Sequence, residues 1–219
     1  MMRSDNLLEI QDREVPRATG VDGGSEIYLN LARRVKVRGL DQVWIADITY
    51  IRLKGEFVYL AVIFDAFSRK VVGWSLDQTL QSRLPLNALK KAIANRQPLP
   101  GLVHHCDRGV QYACDDYIQV LRDHRMMPSM SRPGNPYDNA SCESFKKTLK
   151  REEIYANDYR DLEHLAESVG EFIEHYYNRC RLHSALGYRP PEQFEEGSEQ
   201  QNVEARSSAS TLTFVKARQ

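Results

Sequence analysis

The 219-residue chain lacks net charge, with 30 Lys and Arg set against 30 Asp and Glu. Any surface for a polyanion must therefore come from how the charge is distributed and not from its total. No apolar run approaches the roughly 18 residues that a membrane helix needs, so no membrane partner is expected. No secretory leader precedes the four cysteines, Cys106, Cys114, Cys142 and Cys180, and their spacing is unpaired; this predicts reduced thiols in a cytoplasmic protein. His104-His105-Cys106 with Cys114 likewise lacks the two short-spaced ligand pairs of a structural zinc site. Residues 1–30 show neither sustained helical periodicity nor a helix-turn-helix pattern, and Gly20, Gly23 and Gly24 mark them as a mobile leader.

What is present is a length that buries one substantial core. Residues 31–191 carry 24 basic and 19 acidic residues, so a mildly basic centre lies between acidic flanks. The expected division is a leader and linker over 1–37, a folded core over 38–194 and a polar, disordered tail over 195–219, in which 211–215 can form a short strand. Within the core, β-rich runs at about 43–53, 57–66 and 69–77 are joined by short turns and read as antiparallel hairpins. A helix at 82–95 ends before Pro98, and a strand at 102–106, a helix at 113–126 and a brief strand at 128–131 follow. A helix carrying Glu143 in its first turn comes next, then a long amphipathic helix marked by Leu162, Leu165, Val169, Phe172, Ile173 and Tyr176. That order suits a mixed α/β sheet flanked by helices.

Three carboxylates stand out. Asp47 lies in the apolar run Val43-Trp44-Ile45-Ala46-Asp47-Ile48-Thr49-Tyr50-Ile51, where an unpartnered carboxylate would cost roughly 2–7 kcal/mol or take up a proton. A bound cation removes that cost. Asp107 ends the strand-like Leu102-Val103-His104-His105-Cys106 and opens a loop, and Glu143 follows it by thirty-five residues behind a Pro-Gly-Asn turn. Oxygen ligands of this kind suit magnesium or manganese. Asp65, in Ile63-Phe64-Asp65-Ala66, competes with Asp47 on composition alone.

The stretches Trp44-Ile45-Ala46-Asp47-Ile48-Thr49-Tyr50, His105-Cys106-Asp107-Arg108-Gly109-Val110-Gln111-Tyr112, Ser129-Met130-Ser131-Arg132-Pro133-Gly134-Asn135 and Tyr137-Asp138-Asn139-Ala140-Ser141-Cys142-Glu143-Ser144-Phe145 occur in order, followed by Tyr176-Tyr177-Asn178-Arg179-Cys180-Arg181-Leu182-His183-Ser184-Ala185-Leu186-Gly187-Tyr188. Over about residues 38–194 the chain resembles the catalytic core of bacterial insertion-sequence transposases of the DDE type, relatives of retroviral integrases. The resemblance implies a ribonuclease H-like fold with a five-stranded mixed sheet. It also implies two ions, with Asp47 bridging both, Asp107 holding one and Glu143 the other. The chemistry implied is metal-dependent cleavage and strand transfer of insertion-sequence DNA, by a homo-oligomer on DNA in the bacterial cytoplasm or nucleoid. Such transposases carry a helix-turn-helix region ahead of the core, for which this sequence leaves no room, so a companion protein or upstream segment is expected to supply it.

Candidate DNA contacts are Lys146, Lys147 and Lys150, at three, four and seven positions from Glu143 on one helical face. Arg132, Asn139, Ser131 and Gln111 are polar groups within the motifs. A solvated basic face is the plain alternative for the lysines. His105, two residues before Asp107, is equally consistent with a place near the carboxylates and with a core position, while Asn178, Arg179 and His183 carry no evident chemistry. The function opposed to the enzyme is a catalytically inactive DNA-binding or inhibitory fragment.

Overall fold

The computed structural model describes residues 17–18, 27–53, 55–107, 109–131 and 140–200. Two short strands, β1 (Arg17–Ala18) and β2 (Ile27–Tyr28), pair antiparallel. Five more strands form the main sheet: β3 (Val43–Leu53), β4 (Glu56–Asp65), β5 (Val71–Asp77), β6 (Val103–Cys106) and β7 (Met127–Met130). Their order is β5-β4-β3-β6-β7, with β3, β4 and β5 antiparallel and β3, β6 and β7 parallel. Antiparallel pairing follows from the short turns. Gly55, at φ 99°, supplies the left-handed residue that the β3–β4 hairpin needs, beside Lys54 outside the described residues. The parallel strands are separated by helices α1 (Arg83–Arg96) and α2 (Asp115–Asp123), as crossover connections require. This is the expected mixed five-stranded sheet, with each strand within two residues of its expected span.

Helices cover both faces, which explains why β4 reads as an almost unbroken apolar run. On one face Trp44, Ala46, Ala61 and Ile63 meet Leu84, Ala88, Leu89 and Ala92 of α1 and Tyr117 and Leu121 of α2. On the other, Val58, Leu60, Val62 and Phe64 meet Phe145 and Leu149 of α3 (Ala140–Leu149) and Leu165 and Val169 of α4 (Leu162–Glu171). α3 continues as a π-helical turn over Lys150–Ile154, and α4 continues as a π-helix over Phe172–Cys180, so the long amphipathic helix runs four residues past Tyr176. Asp161 caps α4 by accepting from His164 N at 2.8 Å. At Gly73 of β5 an added Cβ would lie 2.4 Å from Ala88 O, so glycine lets α1 sit directly on the strand.

Two differences concern the flanks. The leader expected over 1–37 is tied down in part: Tyr28 is buried in the core, and Leu31 and Ala32 donate their N–H groups to Ser129 Oγ at 2.9 and 3.2 Å. Beyond Pro190, residues 191–200 form a helix, so ordered structure continues past the boundary expected at 194. The cause is an ion network: Glu195 is buried, accepts from Ser68 Oγ at 2.7 Å and pairs with Arg96 at 2.8 Å, and Arg96 also pairs with Asp41 at 3.0 Å. The expected strand at 211–215 lies outside the described residues.

Candidate active site

Asp47 and Asp107 are brought together by strand register. β3 and β6 run parallel, with Ile45 paired to His105, and each aspartate stands two residues beyond that pair. Both carboxylates therefore lie where β6 ends, towards the carboxyl ends of neighbouring parallel strands, a usual place for ligands on open α/β sheets. The Asp107 loop is folded tightly. Asp107 Oδ1 accepts from Gly109 N at 2.8 Å, and a Cβ at 109 would lie 2.9 Å from Asp107 Oδ1 and 3.0 Å from Gln111 Oε1. Gly109 thus lets the Asp107 and Gln111 side chains close over it, and the structure brings Gln111 beside Asp107.

Glu143 comes from α3, which is anchored on the sheet by buried Cys142, Phe145 and Leu149. One turn on, Lys146 points inward. Its Nζ lies 2.5 Å from Asp47 Oδ2 and 3.1 Å from Glu143 Oε1, so a single ammonium bridges two of the three carboxylates. Burial raises the pKa of Asp47, Lys146 opposes that rise, and the negative charge of Asp107 adds to it. Burial alone would lower the Lys146 pKa, but Asp47 and Glu143 outweigh it, and the net direction is upward. Lys146 is accordingly a fixed positive charge at neutral pH.

Lys146, expected among the DNA contacts, is turned inward to the site. Its partners are carboxylates, because the helical turn that places it beside Glu143 also aims it at the buried Asp47. Lys147 is exposed, and Lys150 reaches the Tyr50 ring, with Nζ 4.6 Å from its centroid. Arg132 and Asn139 lie outside the described residues. His105 is a core residue, buried with Nδ1 2.9 Å from Ser129 Oγ. Asp65 holds a turn together, its Oδ1 taking the N–H groups of Phe67 and Ser68, both at 2.9 Å, and its Oδ2 that of Asp41 at 2.7 Å. Asn178, whose chemistry the sequence left open, clamps the edge of the sheet by accepting from Val71 N and donating to Val71 O, both at 3.0 Å. Arg179 pairs with Glu192 at 2.9 Å, and His183 packs edge-on to Tyr177.

The donor set fits a hard divalent cation, since all three side chains offer oxygen. The Lys146 ammonium shows that positive charge is accommodated between Asp47 and Glu143. As placed, however, the set is not closed: among the described residues no three His, Cys, Asp or Glu side chains form a metal-holding group. Lys146 occupies the gap, Glu143 is about half exposed and Asp107 is turned to Gly109. The large concavity of about 910 Å³ beside α4 lies elsewhere, and with Glu152, Glu153, Asp158, Glu167 and Glu171 in its lining it has the wrong charge for DNA.

Residues 39–136 match the integrase core domain, and residues 124–191 match a second pattern of the same description. The chain is 43% identical over 174 residues to the transposase for insertion sequence element IS904 of Lactococcus lactis subsp. lactis (strain IL1403), covering 79% of this chain and 69% of that protein. It belongs to the insertion-sequence transposases with a DDE-type integrase core. Another of these transposases, InsF for insertion sequence IS3A of Escherichia coli (strain K12), is 41% identical over 157 residues, 72% of this chain. The chain spans about two thirds of the length of the first relative and about half, 54%, of the second. The transposase core also has the fold of retroviral integrases. The HTLV-2 integrase catalytic core domain in complex with magnesium matches with a TM-score of 0.55 at 17% identity, over 72% of this chain and 99% of that one. A simian T-cell lymphotropic virus intasome in complex with the PP2A regulatory subunit B56 gamma matches with a TM-score of 0.59 at 19% identity, over 83% of this chain and 59% of that one. The five-stranded sheet is thus the ribonuclease H-like sheet of an integrase catalytic core. Among the described residues, no helix of the transposase core is long and apolar enough to cross a membrane.

Proposed function

We propose that this chain carries out metal-dependent phosphodiester cleavage and strand transfer on insertion-sequence DNA, with Asp47, Asp107 and Glu143 as the residues that hold divalent magnesium or manganese. The observation that supports this most is the bridged pair: Asp47 is buried, ionised only at a cost, and satisfied by a cation that also touches Glu143. A protein has little reason to bury a carboxylate beside a second acidic group unless positive charge belongs there. A divalent ion so held supplies Lewis acidity for the attacking and leaving oxygens of an in-line displacement. The side chains do the rest. Asp47, fixed on the central strand, sets the position of the site, and Gly109 holds the Asp107 carboxylate at its edge. Glu143, more exposed and on a helix turn, lies on the solvent side of the site. Lys147, exposed on the same helix, contacts the DNA backbone in this reading.

The substrate is duplex DNA at the ends of an element together with its target, and the working form is a homo-oligomer assembled on that DNA; the intasome whose fold matches supports that assembly. Purified chain incubated with supercoiled plasmid and a pre-cut element-end duplex tests the reading. Nicked and joined products should appear with magnesium or manganese and vanish with a chelator. Products that persist in the chelator sink the metal assignment.

A further inference from the structure

Beyond the last residue pair that β3 makes with β6, the β3–β4 hairpin carries two large aromatic side chains that the core does not use. Tyr50 is 57% exposed and Phe57 50%, although Ile51, Leu53, Val58 and Leu60 around them are buried. They lie diagonally across the ladder, Tyr50 opposite Tyr59 and Phe57 opposite Arg52, and their rings meet edge to face with centroids 5.6 Å apart. Exposed Arg52 sits on the same face. Lys150 arrives from the end of α3 and holds Nζ 4.6 Å from the centre of the Tyr50 ring.

Topology explains how a helix on one side of the sheet reaches a ring that strand alternation places on the other. β6 pairs with β3 only from Val43 to Ile45, so from Asp47 onward β3 is open on that side and the Lys150 chain passes around its edge. The patch is also joined to the candidate active site through both elements. Tyr50 is three residues beyond Asp47 on β3, and Lys150 seven beyond Glu143, two turns along the same helix. A nucleic-acid strand that leaves the carboxylates around the open edge of β3 meets these rings next.

Exposed aromatic rings interleaved with Lys and Arg are the means by which proteins hold unpaired nucleotides: bases stack on the rings while cations meet the phosphates. A paired end offers its bases only within the stack, and a protein ligand of opposite charge would meet Lys150 and Arg52 without needing flat aromatic faces. We propose that Tyr50, Phe57, Lys150 and Arg52 form a binding site for unpaired DNA, holding one or two nucleotides splayed from a duplex end beside the carboxylates. This rests on the reading that the substrate is DNA, and it is independent of which carboxylates bind metal.

The test is binding by the full chain in a chelator, so that no chemistry intervenes. Fluorescence anisotropy compares a short single strand with a blunt duplex of the same sequence at fixed salt, and 2-aminopurine at the strand end reports stacking. Tyr50→Ala with Phe57→Ala should weaken single-strand binding by about 10-fold or more and remove the 2-aminopurine quench, while duplex binding stays within about 2-fold. Tyr50→Trp should restore both. Because both rings are exposed, the variants should melt with the wild type, and Tyr50→Phe provides a second, conservative check. A wild-type chain that does not bind the single strand, an unchanged affinity in the double variant, or an equal loss on single strand and duplex would each overturn the proposal. None of these outcomes bears on metal-dependent joining, which is assayed separately.

Discussion

Lys146 Nζ lies 2.5 Å from Asp47 Oδ2 and 3.1 Å from Glu143 Oε1, so one side chain supplies the counter-charge for two carboxylates, one on the central strand and one on a helix laid across it. An ammonium and a divalent ion cannot share that position without strong repulsion. At an effective dielectric of about 20, unit charges 4 Å apart already interact by about 4 kcal/mol. Lys146→Met should therefore bind manganese roughly ten-fold more tightly or better than wild type in the absence of DNA, measured by calorimetry or by loss of the free-ion resonance signal. The same variant without metal should be less stable by about 1–3 kcal/mol, because a buried carboxylate has lost its partner. Unchanged or weaker manganese binding would show that the ammonium does not compete for the site.

Gly109 is a packing requirement at the edge of the same site. Alanine there would put Cβ 2.9 Å from Asp107 Oδ1 and so displace the carboxylate. Gly109→Ala should lower the rate of joining by ten-fold or more with little change in melting temperature, because the loop is open to solvent. A fully active Gly109→Ala protein would mean that the position of Asp107 is not critical.

Gly73→Ala separates fold from chemistry. Its Cβ would press on Ala88 O at 2.4 Å and on Ala92 at 2.7 Å, both in the helix backbone region that cannot move aside cheaply. Overpacking of this kind costs about 1–3 kcal/mol. Urea denaturation should show a lower midpoint, and an unchanged midpoint would mean that α1 does not press on β5 at this residue.

Acid sensitivity should come from buried histidine. Burial lowers the pKa of His104 to about 3 and, with Arg181 and Arg69 nearby, that of His183 to about 4, against about 6.5 when unfolded. The native state then binds fewer protons than the unfolded chain. The stabilisation is full above pH 6.5 and is lost as pH falls towards 3–4, at up to about 1.4 kcal/mol per pH unit for His104. Asp47 and Asp65, whose pKa values are raised by burial, act in the opposite sense above about pH 3.8, so the histidine effect is read as the difference between variant and wild type below pH 6.5. His104→Gln should flatten the slope of stability against pH in that window. An unaltered slope would assign the sensitivity elsewhere.

Much of this was legible in the residues. Apolar periodicity placed the strands and helices because both faces of the sheet are covered and loops carry Gly, Pro or Ser. The motif around Asp47 favours it over Asp65, and Asp65 accepts three backbone N–H groups as part of a turn. What could not be read were consequences of long-range contact. The inward aim of Lys146 depends on how α3 crosses β3, which helical spacing from Glu143 does not reveal. The helix from Glu195 to 200 looked like part of a polar tail because Glu195 is held inside by partners far off in sequence, Ser68 and Arg96, the latter ninety-nine residues away. Tyr50 and Phe57 looked like ordinary strand residues, and they are exposed because they lie at the hairpin end, beyond the residues packed in the core on that face.

The most direct test of the account is joining activity in four charge-removing variants measured side by side with folding. Asp47→Asn, Asp107→Asn and Glu143→Gln should each abolish magnesium- and manganese-dependent strand transfer while remaining cooperatively folded, because they remove ligand charge at nearly constant volume. Asp65→Asn should do the reverse: it turns an amide towards backbone N–H donors, so melting should fall by the equivalent of about 1–3 kcal/mol while the protein that remains folded still joins DNA. Strand transfer surviving in any of the first three, or lost in folded Asp65→Asn, would contradict the assignment of Asp47, Asp107 and Glu143 as the metal-holding carboxylates.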